Sequence, residues 1–361
     1  MRYDARRAHM AVDSAEYLRL QGTACGSLGS PFYEMLLAYA ADDAAAGGPI
    51  AAVLEGYPHA PVASAMALRL MGAVHWLVLG GGAPTLAAHY PSVGGDGDGA
   101  RAWPVFRAFI AEHVSLLRRL MERGVQTNEV RRTAALVCGF LEVAGRTGLG
   151  LRCLEVGASA GLNLRWDHFR YEAARAAWGD PTSPVVLRDS WRSKRLPFDV
   201  AAMVVERAGC DASPIDPTTD DGRTTLLSYV WPDQPDRLTL VRAACDVARR
   251  VPAVVERADA PDWIEARLAR PAGGVATVVY HSIVIQYFGD ESRDRFLATL
   301  ADAGRRATRE APFAWLRMEP GGEQAELRLT LWPDGEERLI GTTGFHGRDV
   351  RYLPARTASA P

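Results

Sequence analysis

The chain has 361 residues, 48% of them hydrophobic and 23% charged, with a formal net charge of -2. That composition supports a sizeable core and excludes a disordered chain; the near-neutral balance gives no electrostatic case for nucleic acid as a partner. Cys25, Cys138, Cys153, Cys210 and Cys245 form no C-x-x-C pair, so neither a zinc knuckle nor a disulfide framework is indicated, and no metal ligands are assigned.

Lys194 is the single lysine and sits in the polar run WRSKR, which argues against Schiff-base chemistry. The opening MRYDARRAHMAVD has no apolar core, and no run approaches the ~20 apolar residues of a membrane span. A soluble, cytoplasmic protein without a membrane partner is the expectation.

Residues 1–125 read as helices. An amphipathic segment covers Ala11 to Leu20, and Pro31 opens a second helix, PFYEMLLAYAADDA, from a position where its missing N–H costs nothing. A long apolar helix runs from Pro61 to Leu79 and stops at three glycines. His75 within it reads first as a packed core residue. SVGGDGDGA is a surface loop, and Trp103 to Arg123 makes another helix. With no strand pattern, this part is expected to be a helical cap or lid on a second domain, 126–361.

That domain opens with QTNEVRR. Thr127 or Asn128 suits an N-cap and Glu129 the helix dipole; alternatively Gln126, Asn128 and Glu129 border a ligand pocket. Next comes LRCLEVGASAGLNL, residues 151–164, on which the domain is organised. An apolar strand carries Glu155 near its end, a turn of small residues follows, and LNL begins a helical pattern. This geometry lets a backbone approach a ligand closely. It is also the geometry of an ordinary tight turn.

Residues 165–200, rich in Trp, Arg and Pro, form an insertion. The segment VVERAGCDASPIDP then places Asp211 at a strand end, where a carboxylate can accept from ribose hydroxyls or simply make a turn with Ser213 and Pro214. Asp233 and Gln234 follow Trp231-Pro232 as caps or pocket residues. Asp259 closes the next strand, before PDWIEARL, where an N-cap role is the plain alternative. GVATVVYHSIVIQYFG is β-branched enough for a strand buried on both faces. His281 falls at its end as a candidate general base or a hydrogen-bonded structural residue, with Gln286 and Tyr287 on the same rim. PFAWLRMEP ends a fifth strand at Glu319. The last part alternates about PDGEE as an antiparallel hairpin, followed by His346.

The turn after Glu155 is not the G-x-G-x-x-G of dinucleotide proteins. G-A-S-A-G resembles the E-x-G-x-G-x-G loop of class I methyltransferases, with Ser159 where the middle glycine stands. The resemblance implies an α/β fold, a Rossmann-like sandwich on a mostly parallel seven-stranded sheet. It also implies a cofactor, S-adenosylmethionine. Glu155, Gly157, Ala158, Ser159, Gly161 and Asn163 would hold its methionine part, Asp211 the ribose, and Asp259 with Ala260 the adenine. His281, with Glu319 or Asp233, would orient or deprotonate a small-molecule acceptor bordered by Gln126, Asn128, Glu129, Gln286, Tyr287 and His346.

The whole chain also resembles a bacterial family known only as domain-of-unknown-function family 2332, through SPFYEMLL, LRLMGAVHWLVL, AHYPS, VQTNEVRR, LEVGASAGLNL, YVWPDQPDR, VVYHSIVIQYF, AWLRMEP and FHGR. The expected activity is methyl transfer to a small acceptor. The same fold serving another cofactor or reaction, or a non-catalytic ligand-binding or assembly protein, is the alternative.

Overall fold

A computed structural model describes residues 13–56 and 65–354. Its first part is helical: α1 (Ser14–Ser27), α2 (Pro31–Ala45), α3 (Pro49–Val53), α4 (Met66–Leu79), α5 (Pro84–Ala87) and α6 (Gly99–Met121). Then α7 (Thr133–Thr147) leads into β1 (Gly150–Val156). Three short strands follow, β2 (Arg170–Ala173), β3 (Ala176–Gly179) and β4 (Val186–Arg188), before β5 (Val204–Asp211). The chain continues through α8 (Asp220–Ser228), α9 (Pro235–Ala248), β6 (Val254–Arg257), α10 (Ala260–Leu268), β7 (Val275–Ser282), α11 (Asp290–Arg306) and β8 (Phe313–Pro320). It closes with β9 (Ala325–Trp332), β10 (Glu336–Thr343) and β11 (Arg351–Tyr352).

The described residues divide into two compact units. One takes residues through Thr127 and also Thr219–Arg242; the other takes Asn128–Thr218 and the chain from Ala243 on. The return of 219–242 to the helical unit was not visible in the letters; Trp231, for example, is buried in the same core cluster as Tyr33, Leu70 and Phe106.

In the helical unit, starts are set by caps. Ser30 Oγ accepts from the Tyr33 N–H (3.4 Å) ahead of Pro31. Asp98 Oδ1 accepts from Ala100 and Arg101, both at 3.0 Å, so α6 begins four residues before Trp103. The first amphipathic helix starts at Ser14 and continues to Ser27. Of the apolar helix expected from Pro61, residues 61–64 lie outside the described residues, as do 11 and 12 of the first. His75 is fully buried, with Nδ1 on the Ser228 carbonyl (3.1 Å) and Nε2 on Ser92 Oγ (2.8 Å); burial lowers its pKa to about 4. Among the described residues, no helix is long and apolar enough to cross a membrane.

In the α/β unit, one sheet of eight strands, where seven were expected, runs β11-β10-β9-β8-β7-β1-β5-β6. From β8 to β6 every pairing is parallel; β8 to β11 pair antiparallel. The expected insertion contains a separate three-stranded sheet, β3-β2-β4. Seven of the eight β7 residues are buried, as a central strand covered on both faces requires. One core joins Leu154, Val156 and Val279 of the strands to Trp263, Phe296 and Leu300 of α10 and α11. α7 also packs on the sheet, at Gly139, where a Cβ would stand 2.3 Å from Leu316 Cδ1.

Candidate functional site

The chain passes from β1 outward to β5 and β6, then returns to the other side of β1 for β7 and β8. The C-terminal ends of β1 and β7 therefore bound a topological switch point, the place where open parallel sheets take ligands. The registers bring Glu155 opposite Gly209 on one side and Tyr280 on the other, and Asp211 opposite Arg257. Glu155, Asp211, Asp259, His281 and Glu319 thus share one edge.

The turn after β1 has three left-handed residues, Gly157 (φ 67°), Ser159 (φ 55°) and Gly161 (φ 66°). Glycine at the first is also a matter of space, since a Cβ there would lie 2.6 Å from Val284 Cγ2. The strained Ser159 is held from outside. Asp211 Oδ2 accepts its N–H at 2.9 Å, while Oδ1 accepts that of Ser213 at 2.8 Å. Gly209 permits the approach, for its Cβ would stand 2.7 Å from Ala158 Cβ. Beyond the turn the chain forms not the expected α-helix but a 3-10 segment, Leu162–His168. Within it, buried Arg165 donates back to the turn at Gly161 O (2.6 Å) and across to Val251 O (2.8 Å). Desolvation is the chief cause that lowers the Arg165 pKa, to about 10.

The polar cluster before α7 serves this turn. Asn128 Oδ1 accepts the Leu162 N–H (2.9 Å), and Asn163 Nδ2 donates to Glu129 O (3.3 Å). Glu129 Oε1 accepts from the Arg131 N–H (3.3 Å), capping a short 3-10 turn, Val130–Arg132, that runs into α7; neither Thr127 nor Asn128 is that helix's N-cap. Gln126 is buried and belongs to the helical unit.

Glu155 lies below the turn, 3% exposed. Burial pushes its carboxyl up to about 8, against the opposing pull of the Tyr280 hydroxyl (3.2 Å) and the Arg165 charge. At neutral pH it is uncharged. Asp259 is exposed and precedes α10, its carbonyl accepting from Trp263 N–H (3.0 Å); its side chain makes no cap, and Ala260 is the first helical residue.

His281 is fully buried. Trp315 donates its indole N–H to Nε2 (3.0 Å), and an indole nitrogen can only donate. The imidazole proton is therefore on Nδ1 and goes to Glu319 Oε1 at 2.7 Å. The same oxygen accepts from the Val284 N–H (3.0 Å), just past Ile283, whose φ is 57°. Both ring nitrogens are committed, so the general-base role considered for His281 is replaced by a brace for the turn after β7. Gln286 is half-buried and Tyr287 is 56% exposed, both on the short 3-10 turn that follows.

His346 is half-buried beyond β10. Its neighbour Phe345 accepts from Arg132 Nε (3.1 Å), and Arg132 also donates to Ser282 O (3.0 Å), tying the end of β7 to the chain after β10. Asp233 belongs to the helical unit, where Oδ1 accepts from Ser30 Oγ (2.7 Å) and Oδ2 from the Phe32 N–H (3.0 Å), so both its oxygens anchor the start of α2.

Tyr280, Arg165 and Arg132 were not singled out from the sequence; Gly209 was legible there as the glycine two residues before Asp211, in a G-x-D-x-S-P pattern with Ser213 and Pro214. Among the described residues, no three His, Cys, Asp or Glu side chains gather as a metal ion would need. The arrangement offers hydrogen-bonding groups around a narrow turn and no free imidazole. It suits chemistry that depends on positioning.

Fold and site together define a mixed α/β protein with a ligand-type switch point in a mostly parallel sheet. Residues 15–352 match the model of DUF2332, described as an uncharacterized protein conserved in bacteria, and the chain belongs to that family. No curated protein and no solved structure matches it.

Proposed function

We propose that the chain is a cytoplasmic, S-adenosylmethionine-dependent methyltransferase of small-molecule acceptors, on a Rossmann-like class I methyltransferase fold. The observation that carries this reading is the bond from the Ser159 N–H to Asp211, which ties the left-handed turn after β1 to the acid at the end of β5, beside the switch point. Each Asp211 oxygen retains a lone pair after its amide bond and can accept from a ribose hydroxyl. Asp259, on the next strand end, would meet the adenine with Ala260. Glu155, Gly157, Ala158, Ser159, Gly161 and Asn163 would surround the methionine part; Asn163 Oδ1, buried without a partner among the described residues, fits an ammonium donor.

The sulfonium supplies an activated methyl group, so the protein's contribution is orientation and exclusion of water. Gln286 and Tyr287 stand where an acceptor would enter. No proton is assigned to His281 in this reading, and Glu319 acts through the turn it holds.

A second reading keeps the fold and drops the chemistry. It is favoured by the uncharged Glu155, which gives an ammonium no counter-charge until it loses its proton. Calorimetry with S-adenosylmethionine and S-adenosylhomocysteine separates the two. Binding weakened at least tenfold by Asp211→Asn supports methyl transfer. A folded protein that binds neither compound overturns it and leaves a different ligand or an assembly role.

A further inference from the structure

His75 of α4 and Ser92 come from LRLMGAVHWLVL and AHYPS, two stretches that the sheet edge leaves unused. Both belong to the helical unit. Ser92 sits on a single 3-10 turn, Pro91–Val93, and its Oγ stands 2.8 Å from His75 Nε2. Donor and acceptor are fixed from the other side of the ring. His75 Nδ1 is 3.1 Å from the Ser228 carbonyl, and a carbonyl can only accept, so Nδ1 carries a proton. Burial keeps the ring neutral at physiological pH. Nε2 is therefore bare, and the Ser92 hydroxyl must donate to it. A hydroxyl on an unprotonated imidazole, with the far nitrogen tied to a third group, is the arrangement that activates a serine nucleophile.

Both partners are held in place. The imidazole is fully buried, and the Tyr90 ring packs against it with centroids 5.6 Å apart. Around the serine, Val93 and Gly95 both donate to the Tyr90 carbonyl, at 3.1 and 2.9 Å. Gly95 lies so close that a Cβ there would stand 2.3 Å from the Tyr90 nitrogen. Ser92 itself is half-buried, and Val93 and Gly94 beside it are exposed, so the turn that carries the hydroxyl meets solvent. The Ser92 N–H has no hydrogen-bond acceptor among the described residues. In serine proteases the nucleophile's own N–H is one donor to the oxyanion.

We propose that Ser92 is a nucleophile with His75 as its general base, a reactive centre of the helical unit that hydrolyses small acyl esters. Oγ bonds to the acyl carbon as its proton passes to Nε2. The C–O bond to the leaving group then breaks, and Nε2 returns the proton to the departing alkoxide. Water repeats the sequence: it gives a proton to Nε2 and bonds to the acyl carbon, and Oγ leaves and recovers the proton. The products are an alcohol and a carboxylic acid, with nothing oxidised or reduced. Desolvation, opposed by the Ser228 and Val230 carbonyls, makes the imidazole a weak base. A weak base draws the proton off late, which suits esters, whose leaving groups depart readily, over amides. The proposal is independent of the methyltransferase reading, since none of its residues lies in the α/β unit.

The test is reaction of the full chain with a fluorophosphonate, which forms a stable Oγ–P bond and expels fluoride, read by intact mass and peptide mapping. A single adduct is expected, on Ser92. Ser92→Ala should remove it, and with it the burst of p-nitrophenolate from p-nitrophenyl acetate. His75→Gln should slow labelling about a hundredfold or more, the loss of general-base assistance. If His75→Gln does not fold, the map of the wild-type adduct decides alone. No adduct, an adduct on another residue only, or an unchanged rate in folded His75→Gln overturns the proposal.

Discussion

Trp315 donates its indole N–H to Nε2 of His281, and this one bond fixes what the histidine can do. With Nε2 accepting, Nδ1 must donate to Glu319, so the ring holds two groups in place and has no nitrogen for a substrate. His281→Phe keeps a ring but leaves the Trp315 indole N–H unpaired and removes one of the bonds to Glu319, which still accepts from Val284. A loss of about 1–3 kcal/mol in unfolding free energy follows from stranding one part-buried donor and weakening the brace. Urea denaturation measures it. If stability is untouched while a transfer activity disappears, the histidine is a proton carrier after all.

Asp233 is decided in the same way. Its two oxygens hold Ser30 and the Phe32 N–H at the start of α2, so Asp233→Ala removes a helix-start anchor. About 1–3 kcal/mol should be lost, and the Phe32 amide should exchange faster with solvent. A variant of unchanged stability and unchanged exchange would contradict this role.

The close approach of Gly157 and Val284 makes a third prediction. Gly157→Ala puts a methyl 2.6 Å from Val284 Cγ2 at a left-handed backbone position. Strain and overlap together should cost roughly 2–4 kcal/mol. Val284→Ala removes only the overlap. The double variant should therefore be more stable than the sum of the single changes, by about 1 kcal/mol. Additive losses would mean that the two side chains do not meet.

Much of this arrangement was legible in the letters, for identifiable reasons. The unbroken β-branched run of β7 can only be a strand covered on both faces. Gly157 and Gly161 announce a turn that side chains resist. Other features were hidden because they depend on partners far along the chain. His281 at a strand end reads equally as base or brace until Trp315 is seen beside it. Asp233 sits in a turn that suits a pocket as well as a cap, and only Ser30 and Phe32 settle the matter. β11 has two residues, too few to show alternation. The helix expected after Gly161 is a 3-10 segment with Arg165 off helical geometry, its guanidinium turned back to the Gly161 carbonyl, a contact the letters do not announce. The return of Thr219–Arg242 to the helical unit leaves no local mark at all.

Glu155 gives the last prediction, and its sign follows from proton binding. An acid whose folded pKa is about 8, against an ordinary 4.5, holds a proton in the folded state that the unfolded chain has lost. Between those values the folded state binds more protons, so stability falls as pH rises and levels off above about 8. Burial causes this, because an ionised carboxylate below the turn would lose its hydration. Glu155→Gln has no proton to lose. Its stability relative to the wild type should therefore improve steadily from pH 5 to pH 8.5 in chemical denaturation. The same proton reports on the ligand. If S-adenosylmethionine brings its ammonium to Glu155, the carboxyl must ionise, and binding at pH 7 should release close to one proton. Calorimetry in buffers of different ionisation enthalpy reads that number directly, and in Glu155→Gln the release should vanish. Binding without proton release would put the ammonium elsewhere, with Asn163 as the remaining candidate at the turn.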